Sequence, residues 1–131
     1  MKRSCGILMP ISSLPSPYGI GTLGKEAHDF VDFLSKTKQG WWQMLPVGPT
    51  SYGDSPYQSF SAYAGNPYFV ELTTLCEEGL LTQAELESVD WGSDPAKVDY
   101  EKIYLSRFDL LRKAADRGWA KDAEAVAAFE K

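Results

Sequence analysis

The sequence contains little of what several common functional sites require. Among its 131 residues are two cysteines, Cys5 and Cys76, and one histidine, His28. Two cysteines are too few for a disulfide scaffold or a zinc site, and one histidine does not support a metal centre or Ser–His–Asp chemistry. We therefore expect no metal site, and His28 as a partly exposed helical residue without a role.

Long apolar runs and clusters of basic residues are also missing. The apolar run Cys5–Met9 stops at Pro10, shorter than the roughly 7–15 residues of a signal-peptide core and far from the ~20 residues of a membrane span. The net charge is −5, and no basic stripe is available for a phosphate backbone. We expect a cytoplasmic protein that binds neither membranes nor nucleic acid.

The first half of the chain shows the order strand, loop, helix, strand, loop. Cys5–Ile11 and Trp41–Val47 are apolar runs typical of buried strands, and Glu26–Lys38 is an amphipathic helix with acidic residues first and lysines last. In Trp41–Val47 both alternating faces are apolar, as in a parallel sheet covered on two sides. The pattern predicts an α/β fold with a βαβ unit, whose site lies in the loops after the strands.

The second half is predicted to be mainly helical. Tyr68–Leu72 fits either a short strand or the entry to a helix, and Thr82 with Glu85 forms a capping box before the helix Gln83–Ser88. Asp99 is a suitable N-cap for a helix over Tyr100–Arg117, and Gly118 is expected at its C′ position. The predicted apolar stripe of that helix consists of Tyr104, Phe108, Leu111 and Ala115.

The last segment, "KDAEAVAAFEK", reads as a helix that reaches Lys131 without a stop signal. One βαβ unit cannot bury both faces of its own sheet. We therefore expect the chain to be part of a larger protein.

The segment "GIGTLG", with Gly19, Gly21 and Gly24, matches the dinucleotide-binding pattern G-x-G-x-x-G. In that fingerprint the glycines follow the strand at once and an acidic residue lies some twenty residues further on. Here seven residues separate Ile11 from Gly19, and no acidic residue occurs between Phe33 and Gly53. Glycines that let a loop turn tightly next to the helix are the favoured explanation.

The stretch "YGDSPYQSFSAYAGNPY", residues 52–68, contains five aromatic rings and a single charge, Asp54. Sugar rings bind to flat apolar platforms that stand beside short hydrogen-bonding groups, and this segment can supply both. A satellite core in which the rings pack together fits the composition equally well. The candidate platforms are Tyr52, Tyr57, Phe60, Tyr63 and Tyr68.

Three segments resemble the amylomaltases, or 4-α-glucanotransferases, also known as disproportionating enzymes: "SCGILMPISSLPSPYGIGTLG", "WWQMLPVGPT" and "YGDSPYQSFSAYAGNPY". The resemblance is strong over residues 1–75. It implies the N-terminal part of a TIM-type (β/α)₈ barrel of the α-amylase-like kind, with a helical excursion. The implied division is 1–74 for the first βα units, with an active-site loop at 48–68, and 75–131 for a helical insertion.

The implied activity is transfer of a segment of an α-1,4-glucan or maltooligosaccharide to a sugar 4-hydroxyl by retaining double displacement. Such chemistry needs two carboxyl groups about 5–5.5 Å apart, whereas Asp54 is the only acid between Phe33 and Val70. The resemblance places the nucleophile and the acid/base beyond Lys131, so the chain alone is expected to be inactive. It also implies that the enzyme needs no metal or organic cofactor.

The same resemblance implies roles for four residues. Tyr57 lies against the sugar whose bond is cleaved, Asp54 and Ser55 fix the loop or touch sugar hydroxyls, and Tyr52 belongs to a second glucan-binding patch outside the cleft. For Asp54 the neighbouring Gly53 and Pro56 favour loop anchoring. The alternatives are a non-catalytic glucan-binding module and, through "GIGTLG", a nucleotide-binding domain.

Overall fold

Two short strands and five α-helices make up the regular structure. A computed structural model describes residues 3–129, except for the side chains of Ala123 and Ala125. Single 3₁₀ turns occur at Ile11–Ser13 and Pro67–Phe69. The strands are β1 (Gly6–Leu8) and β2 (Trp41–Gln43), and the helices are α1 (Lys25–Lys36), α2 (Leu72–Glu77), α3 (Gln83–Glu87), α4 (Tyr100–Lys121) and α5 (Ala123–Phe129).

The predicted βαβ unit is present, with shorter strands than expected. β1 and β2 pair in parallel with Ile7 opposite Trp42, and α1 connects them. The backbone bond from the amide of Met9 to the carbonyl of Gln43 (3.0 Å) extends the pairing by one step. Beyond it, Pro10 and Pro46 lack the amide hydrogen that a ladder needs, so both segments leave the sheet before their apolar runs end.

The two faces of the sheet have different surroundings. Trp42 packs edge-on against Phe30 of α1 at 5.0 Å and donates its indole N–H to the carbonyl of Met9. Trp41, on the opposite face, remains 68% exposed. Both faces are apolar, as predicted, but only the face toward α1 is covered by described residues.

The three glycines of "GIGTLG" allow close approaches of the loop to three other segments. A Cβ at Gly19 would lie 2.6 Å from the carbonyl oxygen of Trp91, and one at Gly21 would overlap the carbonyl oxygen of Ile11. A Cβ at Gly24, the residue before α1, would overlap the carboxylate of Glu71. Tight packing, as expected from the sequence, explains these glycines.

The buried face of α4 differs from the prediction by one position. Ile103, Arg107, Leu110 and Ala114 are buried, whereas Tyr104 is 61% exposed. The predicted apolar stripe is wrong, because the stripe of α4 that is buried contains a charged residue, Arg107, near its centre. Its Nη2 donates to the carbonyl of Val70, while Nε and Nη1 have no hydrogen-bond partner among the described residues.

Gly118 does not end α4, contrary to prediction. The helix continues to Lys121, whose ammonium donates to the carbonyl of Glu78 (2.7 Å), and Arg117 donates to the carbonyl of Leu80 (2.9 Å). These bonds hold the turn around Gly118 against the α2–α3 connection, which overrides the usual tendency of glycine to terminate a helix.

Other predictions for the helical half are confirmed. The capping box of Thr82 and Glu85 is present, and Asp99 caps α4 by accepting from the amide of Lys102. The segment after Tyr68 is a 3₁₀ turn that leads into α2, with Glu71 as its N-cap. The final helix is observed as α5, and its predicted continuation over Glu130 and Lys131 lies outside the described residues.

The hydrophobic core joins both halves of the chain. Tyr18, from the loop after β1, packs with Leu72, Leu86 and Leu110 of the helices. A second cluster combines Ile20, Tyr68 and Ile103. The loop before α1 is therefore clamped between the helical half and the end of the aromatic stretch.

Candidate functional site

The aromatic stretch forms a closed loop after β2. Thr50 and Ser59 form an antiparallel bridge at its base. Further along, the amide of Asn66 donates to the carbonyl of Val47 (2.9 Å), and the side-chain oxygen of Asn66 accepts from the amide of Tyr68 (3.0 Å). Residues 51–58 therefore project from a base that is fixed at two levels.

Two consecutive β-turns shape the projecting part. In the first, the amide of Asp54 donates to the carbonyl of Ser51 (3.0 Å), and Gly53 has a φ of 95°, as position i+2 of a type II turn requires. In the second, the amide of Gln58 donates to the carbonyl of Ser55 (3.0 Å), with Pro56 at position i+1. Tyr52 and Tyr57 lie at the tips of these turns.

Four of the five aromatic residues of the stretch present their rings to solvent. Tyr52 and Tyr63 are fully exposed, and Tyr57 and Phe60 are about three-quarters exposed. Tyr68 is 5% exposed and packs edge-on against Phe108 at 5.6 Å. The inclusion of Tyr68 among the platforms is therefore wrong, because its ring belongs to the core under α4.

Ser55 and Asp54 lie below the tip of Tyr57. Both are half-buried, and the hydroxyl oxygen of Ser55 accepts from the amide of Tyr57 at 3.4 Å. Asp54 adopts a left-handed backbone with φ of 54°, which Asp tolerates better than most residues. The structure therefore brings the four predicted residues together on one two-turn loop, with two rings outward and two polar side chains further in.

An open groove of about 910 Å³ runs between this loop and α4. The loop contributes Tyr52, Asp54 and Phe60 to it, while α4 contributes a row of aromatic and apolar residues: Tyr100, Tyr104, Leu105 and Phe108. Because the sequence pattern predicts Tyr104 and Phe108 as part of the core stripe of α4, this second wall of the groove was not predicted. The spacing i, i+4, i+8 of Tyr100, Tyr104 and Phe108 was the available signal.

The phenols beneath the loop are held in their neutral form. Burial, together with the nearby charge of Asp54, raises the pKa of Tyr68 to about 12. The same two causes raise the pKa of Tyr100. Both hydroxyls therefore remain hydrogen-bond donors at any physiological pH.

The loop provides one carboxylate, Asp54, and the groove is also bordered by Glu101 at the start of α4. Among the described residues, no group of three or more His, Cys, Asp or Glu side chains is placed to hold a metal ion. Asp54 is the only acidic residue of the loop, and His28 is exposed on α1. Retaining displacement needs two carboxyl groups about 5–5.5 Å apart, and the loop itself carries a single one. The exposed rings and polar groups of the loop suit binding and orientation of a ligand.

The N-terminus of α1 is unsuited to a dinucleotide. The carboxylate of Glu71 lies against Gly24 there and accepts from the hydroxyl of Thr22 and the amide of Thr73. Burial alone would raise the pKa of Glu71, but these hydrogen bonds and the charge of Arg107 lower it. A negative group therefore occupies the place that a pyrophosphate needs.

Within residues 3–129, no helix has both the length and the apolar character that crossing a membrane requires. Cys5 is exposed and Cys76 half-buried, and neither is in a disulfide.

Comparison with known proteins identifies similar chains. A family model described as "4-alpha-glucanotransferase" (Glyco_hydro_77) matches residues 9–131. The 4-alpha-glucanotransferase of Streptococcus pneumoniae is 59% identical over 130 residues, which cover 96% of this chain and 26% of that protein. That of Clostridium butyricum is 50% identical over 121 residues, covering 92% of this chain and 25% of the relative.

A solved structure shows the same arrangement. Amylomaltase from Streptococcus agalactiae, in complex with acarbose, superposes with a TM-score of 0.92 at 43% identity, covering 98% of this chain and 26% of that one. This likeness confirms the expected fold class, an α/β part of a TIM-type (β/α)₈ barrel of the α-amylase-like kind. The chain spans about a quarter of the length of the relatives it matches.

Proposed function

This chain belongs to the 4-alpha-glucanotransferase family, glycoside hydrolase family 77, and from that membership we propose that it is part of an enzyme that transfers segments of α-1,4-glucans. The acceptor is the 4-hydroxyl of glucose or of another glucan, and the route is a retaining double displacement. The observation that carries the proposal is the two-turn loop with Tyr57 at its tip and Ser55 and Asp54 beneath it.

The role proposed for this chain is to build one wall of the substrate site. Retaining transfer needs a nucleophile and an acid/base about 5–5.5 Å apart, and the loop carries a single carboxylate. The two reacting carboxyl groups are therefore assigned to the remainder of the full-length protein. No metal or organic cofactor enters this chemistry.

Tyr57 is proposed to lie against the sugar whose bond is cleaved. Its ring is exposed at the tip of the turn and its amide is tied back to Ser55, so the ring is presented to a ligand. An aromatic face favours the positive charge of an oxocarbenium-like transition state through cation–π attraction. Ser55 is proposed to fix the turn and to contact sugar hydroxyls.

Tyr52 is proposed to bind glucan outside the cleft. Its fully exposed ring borders the groove along α4, where Tyr100 and Tyr104 provide further aromatic surface. A chain of glucose units offers C–H faces to such rings and hydroxyls to their phenols. The complex of the similar amylomaltase with acarbose supports a carbohydrate ligand for this chain.

The domain division of the sequence analysis is kept as part of the proposal. Residues 1–74 form the first βα units of the barrel with the loop 48–68, and residues 75–131 form a helical insertion that packs on them through the shared core. The unpaired cysteines agree with the proposed cytoplasmic location.

The test uses the full-length protein with maltotriose as the only substrate. Transfer predicts release of glucose together with maltooligosaccharides longer than maltotriose. Tyr57→Ala should lower kcat/KM by roughly tenfold or more, since a cation–π contact contributes on the order of 1–2 kcal/mol. Tyr57→Phe, which keeps the ring, should recover a large part of the loss.

Two results would contradict the proposal. Hydrolysis of maltotriose without longer products would exclude transfer. A Tyr57→Ala variant that turns over maltotriose like the wild type would remove Tyr57 from the site while leaving the activity in place.

A further inference from the structure

The projecting loop has few bonds to the rest of the molecule. Among the described residues, the hydrogen bonds of residues 51–58 join one loop residue to another. The amide of Asp54 donates to Ser51, and the amides of Gln58 and Tyr57 donate to Ser55. Apart from the bridge of Thr50 and Ser59 at the base, they leave the tip unattached. A ring that acts at a reacting bond must nevertheless be held within a fraction of an ångström.

Asp54 is the residue that turns back toward the protein. It stands between the two turns, half-buried, whereas Tyr52 and Tyr57 on either side are exposed. Asp54 borders both the groove and a small cavity below it, and its backbone is left-handed with a φ of 54°. For a non-glycine residue such a conformation costs energy that other contacts must offset.

The cavity below Asp54 is small and polar on one side. Its volume is about 30 Å³, enough for one water molecule. Besides Asp54, it is bordered by Ser12, Asn66, Tyr68 and Tyr100. These residues place donors and acceptors around one partly enclosed space whose remaining lining is mainly apolar, a setting in which a bridging water is held by the polar groups.

Tyr68 and Tyr100 are firmly placed. Tyr68 is buried with Ile20 and Ile103, and its ring centroid lies 6.1 Å from that of Tyr100 at the start of α4. A bond from Asp54 to these phenols therefore attaches the loop to α4.

We propose that Asp54 is a positioning residue: its carboxylate joins the hydroxyls of Tyr68 and Tyr100 in a hydrogen-bonded cluster across this cavity, and the cluster holds Tyr57 in place. The inference rests on the proposed function of Tyr57. It assigns Asp54 to anchoring the loop and not to contacting a sugar. The electrostatics agree, because burial and the nearby charge of Asp54 raise the pKa of both phenols and keep them as donors. The hydroxyl of Tyr100 also has a side-chain hydrogen bond with Ser12, which borders the same cavity.

The first test measures activity of the full-length protein on maltotriose. Asp54→Ala should lower kcat/KM by roughly tenfold to a hundredfold, the scale of a small misplacement of a reacting group. Asp54→Asn, which tolerates the left-handed backbone and keeps an acceptor oxygen, should recover part of the loss. When Tyr57 is already alanine, adding Asp54→Ala should change kcat/KM by no more than about twofold.

Non-additivity is the deciding observation. A side chain that acts through Tyr57 has nothing left to position once that ring is gone. If the losses of the two single variants multiply in the double variant, Asp54 contributes independently and the inference is overturned. It is also overturned if Asp54→Ala alone has no effect.

A second test does not depend on activity. Hydrogen exchange of a peptide covering residues 50–60, followed by mass spectrometry, should accelerate in Asp54→Ala and in Tyr100→Phe to a similar degree, with little further change in the double variant. Exchange in α1 should stay unchanged and serves as the internal control. Unaltered exchange of the loop overturns the inference even if the enzyme proves active, and accelerated exchange supports it even if the protein transfers no glucan.

Discussion

Gly21 is the residue at which the surrounding backbone leaves the least room for a side chain. A Cβ there would overlap the carbonyl oxygen of Ile11 and lie 2.8 Å from both the amide nitrogen and the carbonyl oxygen of Leu14. Backbone atoms of a 3₁₀ turn cannot move aside as a flexible side chain can. Gly21→Ala should therefore lower the free energy of unfolding of the full-length protein by about 1–3 kcal/mol, measured by urea denaturation.

Gly65 provides the matched control for this prediction. A Cβ there meets no described atom within 4 Å, and its φ is not in the left-handed region. Gly65→Ala should stay within about 0.5 kcal/mol of the wild type. Equal effects of the two substitutions would show that the close approach at Gly21 does not limit stability.

The conformation of some residues is predictable from the adjacent sequence, whereas the burial of others depends on segments that are distant along the chain. Gly53 and Pro56 beside Asp54 were identifiable as turn residues, because turn geometry selects them directly. The burial of Arg107 and of Tyr68 was not, because it depends on α4 crossing the segment after the aromatic loop. Composition shows that the loop is rich in rings, but not which ring packs inward.

At the scale of elements, Glu85 joins α3 to α4 through charged contacts with two basic residues of α4, Lys113 at 3.9 Å and Arg117 at 2.8 Å. Arg117 donates through both terminal nitrogens to the carboxylate of Glu85 (2.8 Å each), which also accepts from the amide and hydroxyl of Thr82. The bonds from Arg117, followed by that from Thr82, lower the pKa of Glu85 to about 2. A depressed carboxyl pKa stabilises the fold above the unfolded value of 4.5, and this contribution is lost as pH falls from there toward 2.

Glu85→Gln should therefore weaken α3 most at neutral pH. Hydrogen exchange of residues 82–88 in the full-length protein should be faster than in the wild type at pH 7, and the difference should shrink when both are compared near pH 3. Glu87→Gln on the same helix is the control, since Glu87 accepts only from Gln83 (3.1 Å). A constant difference at the two pH values would show that the carboxylate charge is irrelevant.

The starts of α3 and α4 were predictable from the sequence, whereas the buried face of α4 was not. The capping box at Thr82 and the N-cap at Asp99 follow from short-range bonding within four residues. The buried stripe of α4 and its continuation past Gly118 depend on partners far along the chain, such as Val70 and Glu78. A charged residue inside an apolar stripe shifts the apparent face by one position, and nothing local corrects the error.

At the scale of the whole molecule, one apolar face of the sheet is left uncovered, as the sequence indicated for a single βαβ unit. Leu8 and Trp41, on the face of the sheet opposite to Trp42 and α1, are 54% and 68% exposed, and the apolar side chains of Met44 and Val47 beyond β2 are also exposed. A barrel strand is normally covered on both faces, and the chain spans about a quarter of its relatives. We infer that the rest of the full-length protein supplies the missing cover together with the reacting carboxyl groups.

The isolated chain of residues 1–131 should consequently be inactive and prone to association. An open sheet edge and a contiguous apolar face favour aggregation, so the fragment should bind a hydrophobic dye and form oligomers in size-exclusion chromatography, unlike the full-length protein. Trp41→Lys, which places a charge on that face, should reduce dye binding and oligomers, whereas Trp119→Lys on α4 provides the control at an apolar position remote from the sheet. A fragment that is monomeric, unfolds in one cooperative thermal transition and binds no dye would show that the βαβ unit needs no further cover.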